Sequence, residues 1–143
     1  MIGRVVGKYK ILEQIGEGGM GVVYRGEHVM LGSPAAIKIL LPQFTRDQNI
    51  VDRLFNEAKA TSAIRHPGIV QVFDYGRLDD QTYITMELLR GEDLTDFLGR
   101  RRVLDPPLAA QIMLQLLSAL EAAHVHGVIH RDIKPDKDRK SVV

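Results

Sequence analysis

A glycine cluster held between two strand-like runs limits this chain more than any other feature of its 143 residues. Residues 9–16 and 21–28 are rich in Val, Ile and Tyr, and Gly16-Glu17-Gly18-Gly19-Met20-Gly21 joins them, which predicts two strands of a hairpin. Glycine reaches positive φ freely and lets backbone N–H groups come close to an anion. The loop therefore reads either as a plain turn or as a phosphate cradle. Its flanks narrow the choice. A dinucleotide fingerprint would begin a helix at the last glycine, but Val22-Val23-Tyr24-Arg25 continues as a strand, and the Gly-Lys-Ser/Thr of a Walker loop is absent.

Composition removes other classes. There are 19 Lys and Arg against 18 Asp and Glu, a net charge of +1, so no basic excess exists to neutralise nucleic-acid phosphates. Cys is absent, which rules out disulfides, thiolate metal sites and a Cys nucleophile. The first eight residues hold no apolar stretch suited to a signal peptide. No run of about 18 unbroken apolar residues occurs either, so no membrane segment is expected in this chain. The expected location is cytoplasmic.

Along the chain, a third strand is predicted over 35–41, a helix over 47–65 closed by His66-Pro67-Gly68, and two strands over 69–75 and 81–87 around a turn at 76–80. A short helix follows at 93–101. Pro106-Pro107 then opens a long helix over 108–125 that Gly127 stops. Strands with one inserted helix, then helices, make an α+β order.

Two helices and one strand carry more than their existence. Lys38, in Ala35-Ala36-Ile37-Lys38, sits in an apolar strand where an ammonium wants an anion. In the helix that follows, Ile50, Leu54, Ala58 and Thr61 share a face, and Glu57 falls inside it. Burying that carboxylate alone costs roughly several kcal/mol, so it either finds a cation such as Lys38 or sits at the rim in water. The long helix is apolar at 13 of the 18 positions from 108 to 125, with Gln111, Gln115, Ser118, Glu121 and His124 forming one narrow polar stripe. A helix of that kind expects cover around most of its circumference. A metal site from His124, His126 and His130 is disfavoured, because i and i+2 side chains diverge on a helix and no thiolate or carboxylate cluster completes the set.

His130-Arg131-Asp132-Ile133-Lys134-Pro135 resembles the catalytic loop of protein kinases, and Gly16-x-Gly18-x-x-Gly21-x-Val23 with the Lys38 strand resembles their nucleotide loop. Lys134, two residues after Asp132, is similar to the serine/threonine type. Arg65-His66-Pro67-Gly68-Ile69-Val70 and Met86-Glu87-Leu88-Leu89 are similar to the eukaryotic-like kinases of bacteria. The resemblance runs from about Tyr9 to Asp136. It implies a small lobe over 1–88 with a five-stranded antiparallel sheet and one helix. An incomplete helical large lobe would follow over 89–136, with a divergent tail over 137–143.

For the site, the resemblance implies ATP bound by Ile15, Gly16, Gly18, Gly21, Val23 and Ala36, with Met86 behind the adenine slot. The backbone of Glu87 and Leu89 would meet the adenine edge, and Asp93 the ribose. Lys38 would hold the α- and β-phosphates with Glu57 as its partner. Asp132 would accept or orient the proton of the attacking Ser/Thr hydroxyl of a protein substrate, and Lys134 would stabilise the transferring group. Arg131 would pair with a phosphorylated loop. Mg²⁺ is expected of the family, yet position 137, where the family carries a metal-binding Asn, is Lys, and neither Asp136 nor Asp138 stands in register. The expectation is a catalytic domain cut short after its HRDxKP motif, as a frameshift would do, with no protein metal ligands and impaired turnover. Losing one preorganised charge-stabilising group commonly costs about 10²–10³ in rate. The alternative is a non-catalytic nucleotide-binding or kinase-interacting module, including a kinase–kinase dimer.

Overall fold

The computed structural model describes residues 1–129 and 133. Its elements are β1 (Val5–Val6), β2 (Tyr9–Gly18), β3 (Gly21–His28), β4 (Pro34–Leu40), α1 (Pro42–Thr45), α2 (Gln48–Ser62), β5 (Val72–Leu78), β6 (Gln81–Met86), α3 (Leu94–Arg101) and α4 (Pro106–Val125). By packing they fall into two units. One comprises Met1–Ser62 and Gln71–Leu88; the other comprises Ala63–Val70 and the described chain from Leu89 onward.

The first unit is an antiparallel sheet in the order β1-β2-β3-β4-β6-β5. The expected five strands are all present, and the two-residue β1 pairs on the edge of β2. Side chains alternate across a strand, so β4 sends Ala35, Ile37 and Ile39 to one face and Ala36, Lys38 and Leu40 to the other. The first face closes a core with Val6, Tyr9, Ile11 and Tyr83. Ile11 and Ile37 are wholly buried, and burial of each contributes about 1.5–3 kcal/mol. Burial, and secondarily the Asp74 carboxylate, holds the Tyr9 and Tyr83 phenols above their ordinary 10.0.

Two local expectations shift. The fourth expected strand, over 69–75, forms instead as β5 at Val72–Leu78, and Gly76 is inside it. Gly76 pairs with Tyr83, and a Cβ there would lie 2.9 Å from the Tyr83 hydroxyl. The glycine serves close approach rather than a turn. The turn is made by Asp79-Asp80, with Asp79 at φ +52, a conformation Asp tolerates better than most residues. The short helix α1 was not expected; Pro42 at its start lacks only a donor that the first helical turn would leave unpaired.

In the second unit, Asp93 caps α3 by accepting from the Asp96 N–H at 2.9 Å. α4 begins at Pro106-Pro107 and ends where Gly127, at φ +74, lets the Val128 N–H reach Ala123 O at 2.9 Å. That is a Schellman stop, at the expected residue. Ile112 and Ala119 are buried, whereas Leu114 is 68% and Leu117 54% exposed. The apolar sides predicted to need cover are uncovered here. By length and composition alone α4 also meets the requirement for crossing a membrane. The core helix of a soluble protein meets it too.

Candidate functional site

The glycine hairpin and the lysine strand are brought together by register. Gly18 pairs with Gly21 and Gly16 with Val23, closing a turn at Gly19-Met20. A Cβ at Gly16, Gly18 or Gly19 would meet nothing within 4 Å, so protein packing does not explain these glycines. Gly21 differs: a Cβ there would lie 2.4 Å from Ile39 O, and it holds the hairpin against β4. Register shifts in β2 displace Leu12 and Ile15 from the ladder. Such bulges increase local twist. Ile15 is exposed on this bulged stretch.

Val23 lies opposite Lys38, and Lys38 opposite Ile84; Ala36 lies opposite Met86. Facing residues in an antiparallel pair share a side of the sheet. Val23, Ala36, Lys38 and Met86 are thus on one face, the reverse of the Ile37 core. Four residues assigned from the resemblance to one nucleotide therefore point the same way. Lys38 itself is half-buried.

Helix α2 reaches the same face, since Tyr75 pairs with Ile84 and the Phe55 ring stands 4.7 Å from the Tyr75 ring. The face it buries differs from the expected one. Val51 and Ala58 are buried, with Leu54 and Phe55 half-buried beside them. At about 100° per residue that stripe is turned from the one through Ile50, Leu54, Ala58 and Thr61, and Glu57 falls on its flank. Glu57 is exposed. Of its two open readings, the rim position is the one observed.

At the end of β6, the Glu87 N–H donates to Gln71 O at 2.8 Å, and Glu87 Oε2 accepts from the Gln71 N–H at 3.2 Å. Whatever the Glu87 backbone offers an adenine edge must come from its carbonyl. Gln71 also donates through Nε2 to Ser62 O, the last residue of α2, at 3.2 Å. Sequence reading missed Gln71, which looks like one polar residue interrupting an apolar run. Leu89 and Asp93 belong to the second unit. The Asp93 carboxylate has the capping role described above, and the Asp-x-x-Asp spacing into α3 was its available signal.

The Protein kinase domain model matches residues 9–137. The chain belongs to the protein kinase family. This kinase chain is 39% identical over 134 residues to the serine/threonine-protein kinase PknH of Mycobacterium tuberculosis (strain ATCC 25618 / H37Rv), covering 94% of itself and 21% of that relative. It is 41% identical over 132 residues to the serine/threonine-protein kinase PrkC of Bacillus subtilis (strain 168), covering 92% of itself and 20% of the relative. Among solved structures it is similar to the M. tuberculosis PknI kinase domain, with a TM-score of 0.84 and 30% identity, over 95% of this chain and 55% of that one. The kinase chain thus spans about a fifth of the curated relatives' length.

The kinase catalytic-loop assignments, Asp132 and Lys134 with His130 and Arg131, lie outside the described residues, as does Lys137. Among the described residues no group of three His, Asp or Glu side chains could hold a metal ion. His126 Nδ1 lies 2.9 Å from Ala122 O, which engages it with its own helix. Position 137, where the family carries a metal-binding Asn, is Lys in this sequence.

Proposed function

We propose that this chain binds ATP under its glycine hairpin and is part of a protein serine/threonine kinase, an enzyme moving a phosphoryl group from ATP to protein Ser/Thr hydroxyls. One observation carries the reading: Val23, Ala36, Lys38 and Met86 share the sheet face opposite the apolar core, beside a glycine loop with open space at Gly16 and Gly18. An apolar slot ending in an ammonium suits a purine joined to a polyphosphate. Lys38 holds the α- and β-phosphates, and Glu57, from the flank of a helix on that face, orients it. Asp132 takes or orients the acceptor proton and Lys134 neutralises developing charge.

Nucleotide-dependent thermal stabilisation tests binding. The unsubstituted chain is expected to gain Tm with ATP, whereas Lys38→Met and Gly18→Val lose most of that gain. Equal shifts in all three would reject the site.

A second reading concerns turnover. Lys137 in place of the family's Asn favours a nucleotide-binding module that transfers phosphate poorly, slowed by about 10²–10³. Phosphate incorporation into a generic protein acceptor distinguishes the two. Incorporation that Lys137→Asn raises strongly supports this second reading; equal rates in both chains oppose it.

A further inference from the structure

The turn at residues 66–68 packs against α4 through a histidine whose two ring nitrogens have different, fixed partners. The Gly68 N–H donates to His66 Nδ1 at 2.9 Å, so Nδ1 must be the unprotonated nitrogen. The proton of the neutral ring is then on Nε2, which lies 3.0 Å from Ser118 Oγ on α4 and donates to it. The tautomer follows from the backbone donor. Turn and helix are held close: a Cβ on Gly68 would lie 2.9 Å from Ala119 Cβ. Ala119 and Ile64, at the start of the same segment, are both buried. The Ile69 N–H closes the turn on His66 O at 3.0 Å.

We propose that His66, seated on α4 through Ser118, is a proton-operated latch of the 66–68 turn. It is closed when the imidazole is neutral and released when it is protonated. Imidazolium has donors at both nitrogens. The Nε2–H to Ser118 is kept, but Nδ1–H then faces the Gly68 N–H, donor against donor. The turn opens at Gly68, whose N–H has lost its acceptor, while the ring stays on the helix through Ser118. Charged groups on the two elements that carry the latch are Arg65 on the segment, and Glu121 and His124 on α4, all exposed. Arg65 opposes the imidazolium. Glu121, one turn from Ser118, favours it, and His124 opposes it once protonated itself. This inference is independent of nucleotide binding.

Amide hydrogen exchange of the whole chain between pH 8 and pH 5 tests it, with rates corrected for the intrinsic pH dependence of exchange. Protection at Gly68 is expected to fall about tenfold across the same interval in which the His66 ring titrates by NMR. His66→Gln offers an uncharged acceptor, and its Gly68 protection should not change with pH. Retained protection of Gly68 through the His66 titration would overturn the latch. So would an unchanged pH response in His66→Gln.

Discussion

Strand β4 and the long helix α4 have similar apolar content and opposite fates. β4 is buried along Ala35–Ile37 and at Ile39 and Leu40, leaving only Pro34 exposed and Lys38 half-buried. α4 buries Ile112 and Ala119 while Met113, Leu114, Leu117 and Val125 stand in solvent. The sheet supplies its own cover because strands pair on both sides of β4 and curl a core around Ile37. A helix satisfies its own backbone but depends on neighbours for its side chains. Apolar composition therefore reports what an element needs, and packing decides whether it obtains it.

Substitutions sharpen that contrast, each measured by chemical denaturation. Ile37→Ala removes wholly buried atoms from the sheet core and should cost about 2–5 kcal/mol. A loss below about 1 kcal/mol would mean that the core is not the stabilising centre. Gly26→Ala should cost about 1–3 kcal/mol, since the new Cβ would sit 2.4 Å from Ile37 Cδ1 and 3.0 Å from Lys10 O. The same change at Gly18, where the space is open, should be within about 1 kcal/mol of neutral, and comparison of the two separates a packing glycine from a ligand-facing one.

A smaller effect concerns pH. The fold raises the Tyr9 and Tyr83 phenols above 10.0, by burial first and by Asp74 second. Neutral phenol is thus favoured in the folded state, and the unfolded chain loses its phenolic protons first as pH rises. Stability from these groups is complete below pH 10 and declines as pH climbs through and past it. Asp74→Asn should make that decline shallower, and an identical decline would remove Asp74 from the account. The least effect is expected on α4: Leu114→Ala, at a 68% exposed position, should stay within about 0.5 kcal/mol. A cost comparable to Ile37→Ala would show that this side of the helix is covered in solution, which would break the contrast.

Much of the candidate site was legible because its signals are local. The glycine spacing, the strand on each side of it and a lysine in an apolar run are set by adjacent residues, and register then placed Val23, Ala36, Lys38 and Met86 together. Where reading fell short, the deciding partner was distant or the margin was angular. Glu57 kept two open readings because the periodicity allowed two stripes on α2. Only the contact of Phe55 with Tyr75 chose between them. Gly76 resembled a turn residue until Tyr83 was seen to occupy its side-chain space. Gln71 carried no pattern at all.

By itself, the sequence determined the hairpin, the stop of α4 at Gly127, the α+β order and the membership of a kinase family. Those depend on backbone preferences and short-range spacing that travel with the residues. The tertiary structure alone decided that Glu57 stands at a rim, that Gly76 yields room to a phenol, and that His66 meets Ser118 across 52 positions of chain. Such outcomes depend on which surfaces compete for the same space, and no local preference encodes that competition.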